Sequence, residues 1–142
     1  MTSLIDDRAR ALRRSAILST AAPEDLVVLA AMMREESFIA GETVCEFGEH
    51  ADRAFFIASG ELDVRLPRHE GIVRTMTAGE VVGEYGMFGE QARTSTIVAR
   101  SDARLLSIDY ERFRKFLLDF PEVTLALLQV TARRLIQLER GG

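Results

Sequence analysis

The sequence predicts an α+β domain in which a β-barrel is flanked by helices at both ends of the chain. Between residues 37 and 108, short apolar stretches alternate with turns, and glycine recurs at positions 41, 48, 60, 71, 79, 83, 86 and 89. This pattern is typical of a sandwich or barrel of many short strands. Outside this region, apolar residues recur at helical spacing. With 142 residues, 47% of them hydrophobic, we expect one domain over residues 1–142.

The N-terminal region, residues 3–33, is predicted to be helical, with a break near residues 19–22. A new helix is expected at Pro23, because proline in the first turn followed by acidic residues suits a helix N-terminus. The strands are predicted at Thr43–Cys45, Ala54–Ala58, Leu62–Leu66, Ile72–Met76, Thr96–Ala99 and Arg104–Ile108.

Two helices are predicted after the barrel. Asp109 suits the N-cap of a helix over residues 109–118, and Pro121 begins a second helix that extends to residue 139. Apolar residues cover more than half the circumference of this last helix. One barrel face is not expected to cover them all, so part of the helix is expected to meet a ligand or a second copy of the chain.

Charge and length exclude several function classes. The net charge of −4 argues against a surface that neutralises a nucleic acid backbone, so we expect no direct binding to DNA or RNA. The densest basic points, Arg13-Arg14 and Arg133-Arg134, are expected to lie on solvated helix faces.

The chain is expected to stay in the cytoplasm. Its longest apolar run, residues 26–33, is far shorter than the roughly 20 residues of a transmembrane helix, and the N-terminus lacks the pattern of a secretory signal. The lone Cys45, within a predicted strand, is expected to be a small buried hydrophobic residue.

Residues 78–96 carry the chemistry that the sequence predicts. Gly83 allows a close bend of the backbone, and the short helical turn expected after it would present free N–H groups to an anion such as phosphate. Arg93, at the start of a predicted strand, offers a planar fork for two phosphate oxygens. Glu84 is an acceptor for a sugar hydroxyl. Phosphate donors beside a ribose acceptor indicate a nucleotide site.

This segment closely resembles the phosphate-binding cassette of the cyclic-nucleotide-binding domain family. The matching residues are Gly83, Glu84, Met87, Phe88, Arg93 and Thr94, with the arginine nine positions after the glutamate. The resemblance extends over almost the whole chain. It implies a jelly roll, or double-stranded β-helix, of about eight strands. It also implies a regulatory sensor for cAMP or cGMP, with no cofactor, no catalytic residue, no metal site and no enzyme activity.

The resemblance implies a role for each residue of the cassette, residues 83–95. Arg93 contacts the cyclic phosphate, Glu84 takes the ribose 2′-hydroxyl, and backbone N–H groups near Tyr85 and Thr94 complete the cradle. The predicted ligand-binding residues of the cassette are Gly83, Glu84, Tyr85, Arg93, Thr94 and Ser95. Tyr85 departs from the aliphatic residue that is more usual in the family, so it is expected either to fill the same space or to alter the fit of the ligand.

On the base side, the resemblance places Val73 against the base, followed by Arg74 where the catabolite activator protein has a small polar residue. The hydroxyl pair that contacts adenine in that protein falls at Leu138-Glu139 here, so this form of adenine recognition is absent. Thr94 resembles a residue of several cyclic-GMP-responsive members. The choice between cAMP and cGMP stays open.

Two alternatives accompany this prediction. A module that kept the fold but lost the ligand would serve protein interaction, against which the intact Glu84 and Arg93 argue. A metalloenzyme of the cupin type would need more histidines than His50 and His69 supply. How ligand binding is transmitted is open as well. The last helix is expected to act either as a lid over the ligand or as a homodimer interface. The domain is expected to act within a larger protein, such as a channel or transporter, or through partners.

Overall fold

The computed structural model describes residues 3–89 and 92–141. Within these residues the chain forms four α-helices and eight β-strands. The helices are α1 (Leu4–Arg13), α2 (Pro23–Ala31), α3 (Tyr110–Asp119) and α4 (Pro121–Gly141). The strands are β1 (Arg34–Phe38), β2 (Thr43–Cys45), β3 (Arg53–Ser59), β4 (Leu62–Arg65), β5 (Arg74–Met76), β6 (Val81–Val82), β7 (Thr96–Ala99) and β8 (Ala103–Asp109). Short 3-10 turns occur at Ala16–Leu18 and Tyr85–Phe88.

The helix starts follow local sequence signals. Pro23 occupies the first turn of α2, as predicted. Asp109 caps α3, since its side chain accepts a hydrogen bond from the backbone N–H of Arg112 at 2.9 Å. The chain between α3 and α4 turns at Phe120, and Pro121 begins α4.

The strands form two antiparallel sheets of four strands each, in the orders β1-β8-β3-β6 and β2-β7-β4-β5. This arrangement confirms the predicted jelly roll, but the sheets are not closed into a barrel. The expectation of one closed barrel is therefore corrected to a sandwich. Apolar side chains from both sheets fill the space between them, among them Phe55 and Ile57 of β3 and Leu62 and Val64 of β4.

Strand β1 differs from the sequence prediction, which assigned residues up to 33 to helices and the barrel to residues 37–108. Its residues 34–38 are largely charged, so no apolar alternation marks them as a strand. They pair with β8 at the edge of the first sheet, where charged side chains remain accessible to water. Helix α2 ends at Ala31.

Strand β3 explains how the helices attach to the sandwich. Phe55 and Ile57 point between the sheets, whereas Ala54, Phe56 and Ala58 join the apolar cluster formed with the helices. Both faces of β3 are thus buried, which accounts for its continuous apolar run. The helix cluster includes Phe113 of α3 and Leu127 of α4.

The described residues contain neither a membrane-spanning helix nor a metal-binding cluster. No helix there is long and apolar enough to cross a membrane. In the same part of the chain, no group of three His, Cys, Asp or Glu side chains is arranged to hold a metal ion. His69 lies on the exposed connection between β4 and β5.

We predict that Phe113→Ala lowers the free energy of unfolding by about 3–5 kcal/mol, since it removes a buried aromatic ring from the core. Phe113 is fully buried and meets the Phe56 ring edge-on, with centroids 5.6 Å apart. Urea denaturation measures the change. The matched control Phe47→Ala alters a side chain that is 55% exposed, and it should change the free energy by no more than about 0.5 kcal/mol. Equal effects of the two substitutions would contradict this packing.

Candidate functional site

A cavity opens between the second sheet, residues 83–86 and 92–95, and helix α4. It encloses about 440 Å³ including its open mouth. The residues that line it are Cys45, Ala51, Val64, Arg74, Met76, Val82, Gly83, Glu84, Tyr85, Gly86, Ala92, Arg93, Thr94, Ser95, Ile97 and Arg134. All the residues that the sequence predicted for the cassette are therefore brought together, whereas Val73 is not among them.

Gly83 makes the bend at the entrance to the cassette. Its φ of +77° is a left-handed conformation that side chains other than glycine rarely adopt. A Cβ atom at this position would also lie 2.6 Å from Nη1 of Arg93. Glycine is thus required both by the backbone and by the close approach of the guanidinium. The 3-10 turn Tyr85–Phe88 follows directly, where the sequence predicted a short helical turn.

Arg93 is a buried cation, only 6% exposed. Its Nη1 donates to the carbonyl oxygen of Gly83 at 3.1 Å and to the Tyr110 hydroxyl at 3.3 Å, and its Nη2 donates to the carbonyl oxygen of Arg53 at 3.0 Å. All three acceptors are neutral. Among residues 3–89 and 92–141, no carboxylate forms an ion pair with it.

This environment prepares the guanidinium for an anion. A guanidinium has five N–H donors, and three of those of Arg93 are held by the protein. The ring of Phe55 supports the group from one side, with Cζ 5.6 Å from the ring centroid. A buried charge without a counter-charge is costly, and an anionic ligand in the cavity removes that cost.

Glu84 is a buried acceptor, only 1% exposed. Its Oε1 accepts a hydrogen bond from Nη1 of Arg134 at 3.1 Å, and its Oε2 has no partner among the described residues. Burial raises the pKa of this carboxyl above its ordinary value, while the nearby arginines oppose the shift. The free oxygen is suited to accept a hydrogen bond from a ligand hydroxyl.

Arg134 is the main correction to the sequence analysis, which placed it on a solvated helix face. Its side chain is only 12% exposed, and besides binding Glu84 it donates from Nη2 to the carbonyl oxygen of Val81 at 3.1 Å. A signal for this was present in the sequence. Arg134 continues the helical spacing of Val123, Leu127 and Val130, the face of α4 that packs on the body of the domain.

The other three arginines of the two basic pairs differ in their exposure to solvent. Arg13 is half-buried and donates to the carbonyl oxygens of Leu18, Ser19 and Ala21, so it too differs from the predicted solvated position. Arg14 and Arg133 are exposed, as expected. Successive residues of a helix point about 100° apart, so only one member of each pair faces the protein.

On the side predicted to face the base, Arg74 lies at the cavity and its neighbour Val73 does not. Val73 is 41% exposed, and Arg74 lines the cavity in its place. Successive side chains of an extended chain point to opposite sides, so a shift of one residue reverses their environments. The backbone N–H of Val73 donates to the carbonyl oxygen of Val64, which holds it in this register.

The remaining cassette residues lie nearer the mouth. Tyr85 and Thr94 are exposed, and Ser95 is half-buried. Cys45 lies in the cavity wall as a free, buried thiol, as predicted, and burial raises its pKa.

Tyr110, the first residue of α3, is a neighbour of the site that the sequence analysis assigned only to helix packing. Its hydroxyl donates to the carbonyl oxygen of Gly83 and accepts from Arg93, and its ring leaves no space for a side chain at position 86. The contact joins residues far apart in sequence, so no local pattern could have revealed it. It connects the cassette directly to the C-terminal helices.

Comparison with known proteins identifies the family. The family model of the cyclic nucleotide-binding domain matches residues 35–120, more than half of the chain. The chain belongs to the cyclic nucleotide-binding domain family. The resemblance inferred from the cassette is thereby confirmed.

The names of two similar proteins mention a cyclic nucleotide, cAMP in one and cGMP in the other. A CRP-like cAMP-activated global transcriptional regulator of Mycobacterium tuberculosis is 32% identical over 127 residues, which cover 87% of this chain and 57% of that protein. A cGMP-dependent protein kinase of Caenorhabditis elegans is 33% identical over 104 residues, which cover 73% of this chain and 13% of the kinase. The chain thus spans little more than half of the first relative and a small part of the second.

A solved structure shows the same fold. The catabolite activator protein of Thermus thermophilus superposes with a TM-score of 0.80 at 23% identity, covering 89% of this chain and 61% of the other. At this TM-score the two chains share the fold described above.

We predict that Gly83→Ala destabilises the domain more than Gly41→Ala does. Gly41 has a similar φ of +93°, but no atom lies within 4 Å of the position of its Cβ. Its substitution therefore measures the backbone strain alone, about 1–2 kcal/mol. At Gly83 the contact with Arg93 adds to the strain, and chemical denaturation of both variants gives the difference. Equal losses of stability would show that the guanidinium moves aside at no cost.

Proposed function

We propose that this chain is a regulatory sensor domain that binds a cyclic nucleotide monophosphate, cAMP or cGMP, in the cavity and does not turn it over. The observation that carries the proposal is the buried guanidinium of Arg93, which forms no ion pair with any described residue. It lines the same cavity as the buried carboxyl group of Glu84, one oxygen of which has no partner in the described part of the chain. The domain, residues 1–142 with its cassette at residues 83–95, would act in the cytoplasm as part of a larger protein or through partners.

The ligand is expected to lie with its phosphate at Arg93. The two N–H donors that the described residues leave free match two oxygens of one phosphate group. Family membership supports this assignment, because the arginine occupies the cassette position that matches the family pattern. Gly83, Tyr85, Thr94 and Ser95 line the same cavity and are expected to supply further backbone N–H groups or hydroxyls.

The ribose is expected to lie at Glu84, whose free Oε2 accepts the 2′-hydroxyl. Of the described residues that line the cavity, Glu84 is the one with a carboxylate. One of its oxygens is already bonded to Arg134, and the described lining offers no second carboxyl group to act with it as an acid–base pair. Binding without catalysis is therefore the activity that the site supports best.

Helix α4 is the expected route of signal transmission. Arg134 on α4 holds one oxygen of Glu84 while the ligand takes the other, so ligand binding and helix position share one carboxylate. Beyond this contact α4 keeps large exposed apolar side chains, namely Leu125, Leu128, Leu135, Ile136 and Leu138. These side chains suit either closure over the ligand or pairing with α4 of a second copy.

We predict that Arg93→Ala raises the dissociation constant for cAMP or cGMP about thirty-fold to several thousand-fold, since loss of a buried charged partner costs about 2–5 kcal/mol. Isothermal titration calorimetry measures the change. Arg68→Ala, on the exposed connection between β4 and β5, is the matched control and should bind as the wild type does. An Arg93→Ala protein with unchanged affinity would contradict the assignment.

The affinity for 2′-deoxy cyclic nucleotides tests the proposed ribose contact. Wild-type protein should bind 2′-deoxy cyclic nucleotides more weakly than the parent nucleotides, and Glu84→Gln should reduce this difference. If neither cAMP nor cGMP gives heat or a melting shift at millimolar concentration, the sensor proposal fails, and an interaction module that lost its ligand takes its place.

We predict that nucleotide binding slows hydrogen exchange of the backbone amides of Val123–Leu138, by an amount that corresponds to a coupling of about 1–3 kcal/mol. The variant Arg134→Ala should lose most of this response because the link to Glu84 is broken. Arg133→Ala, its exposed neighbour, should keep it. If α4 of the wild type exchanges equally fast with and without saturating nucleotide, it does not transmit the signal.

A further inference from the structure

A second cavity lies between the 3-10 turn Ala16–Leu18, the turn that precedes β6, and helix α4. It encloses about 470 Å³ including its open mouth, similar to the 440 Å³ of the first cavity beside the cassette. A volume of this order admits a small organic molecule. The residues that line it are Ser15, Ala16, Ile17, Gly79, Glu80, Val81, Leu127, Val130 and Arg134. Of the described residues, Arg134 is the one that lines both cavities.

Strand β6 separates the two cavities. Val81 belongs to the apolar cluster that packs with the helices, whereas Val82 belongs to the cluster between the sheets, since successive residues of a strand point to opposite sides. Arg134 extends this partition. Its Nη1 donates to Glu84 in the first cavity, and its Nη2 donates to the carbonyl oxygen of Val81. A molecule in the second cavity would therefore contact the side chain that holds the expected ribose acceptor.

Ser15 is the residue whose state points to a ligand in the second cavity. It is only 1% exposed, and its hydroxyl has no hydrogen-bond partner among the described residues. Its backbone groups are satisfied, because its N–H donates to the carbonyl oxygen of Leu12 and its own carbonyl oxygen accepts from Leu18. A buried hydroxyl without a partner is costly, and a polar atom of a ligand would remove that cost.

The wall of the second cavity selects the chemical class of its ligand. The charge of Arg134 is already balanced by Glu84, and the carboxylate of Glu80 repels an anion. A guanidinium only donates hydrogen bonds, so an acceptor oxygen suits both Arg134 and the Ser15 hydroxyl. The rest of the wall carries buried apolar side chains, namely Ile17, Val81 and Leu127. This lining fits a neutral, mostly apolar molecule with one carbonyl group.

Resting on the proposed function for its regulatory part, we infer that the second cavity binds a small neutral carbonyl compound and that this binding strengthens the binding of the cyclic nucleotide. The compound packs against α4 in the position in which Arg134 holds Glu84. In the proposed function, the nucleotide stabilises the same position of α4. Two ligands that stabilise one conformation favour each other's binding, and the effect is reciprocal.

Acetophenone is a suitable probe because it joins one carbonyl group to an apolar ring. In an NMR titration at millimolar concentration, the backbone amides of Ala16, Gly79 and Val130 should show saturable shifts, larger than those of Thr94 and Ser95 in the first cavity. Saturating nucleotide should not displace the probe. Absence of saturable shifts would show that the cavity holds only water and would overturn the inference, as would displacement by nucleotide.

Two further compounds test the class of ligand. Ethylbenzene has the same ring but no oxygen, so it should bind about two-fold to ten-fold more weakly than acetophenone, the loss expected for one hydrogen bond. Benzoate keeps acceptor oxygens but is an anion, and it should also bind more weakly. If either compound binds as tightly as acetophenone, the assignment to a neutral carbonyl compound is overturned.

Substitutions test the position of the site. Ser15→Ala should weaken acetophenone about two-fold to ten-fold without lowering the melting temperature, because the hydroxyl has no described partner to lose in the free protein. Ala16→Phe fills the mouth of the cavity and should abolish binding of the probe. Ala31→Phe, at the exposed end of α2, is its matched control and should leave binding unchanged. Wild-type affinity in both Ser15→Ala and Ala16→Phe would overturn the inference.

Calorimetry with the nucleotide tests the regulatory part. Saturating acetophenone should lower the dissociation constant for cAMP or cGMP about five-fold or more. Arg134→Ala should lose this effect, whereas its exposed neighbour variant Arg133→Ala should keep it. An unchanged or raised dissociation constant in the wild type overturns the coupling and leaves the sensor proposal intact. If neither nucleotide binds, the sensor proposal and the coupling both fail, while the NMR titration still decides whether the second cavity is a ligand site.

Discussion

The site depends on one constraint, the burial of the Arg93 charge with no ion pair to any carboxylate among the described residues. The protein satisfies part of the guanidinium with the carbonyl oxygens of Gly83 and Arg53 and with the Tyr110 hydroxyl, none of which neutralises it. These groups hold the arginine in place and leave its charge for the ligand. The three hydrogen bonds keep the charged guanidinium in a fixed position. This limits the free-energy cost of organising the site when an anion binds.

The same frame connects the ligand site to the C-terminal helices. Tyr110 begins α3 and reaches the cassette, and Arg134 of α4 reaches Glu84. Removing one partner of a buried ion pair commonly costs about 3–5 kcal/mol, so the proposed function expects the position of α4 to depend on the state of this carboxyl group. In that proposal a small ligand influences a long helix because both use the same buried groups.

Much of the fold and of the cassette was predictable because its signals are local. Glycine spacing, Pro23 and Asp109 mark turns and helix starts within a few residues, and the residues expected to bind phosphate and ribose all lie within positions 83–95. Strand β1 was not predictable in this way, since its charged residues become a strand only by pairing with β8. Likewise, the separation of the strands into two sheets depends on which edges pair across the chain.

The sequence by itself determined that this chain is an α+β domain of its family, because a glycine bend, an acceptor and an arginine at fixed spacing form a local pattern that resembles the family's phosphate-binding cassette. Only the tertiary structure decided that Arg134 enters the site, that Tyr110 holds Arg93, and that Arg74 rather than Val73 faces the cavity. Each of these depends on the direction of a side chain on a helix or strand. A rotation of 100° on a helix or a shift of one residue on a strand exchanges a solvated side chain for a buried one.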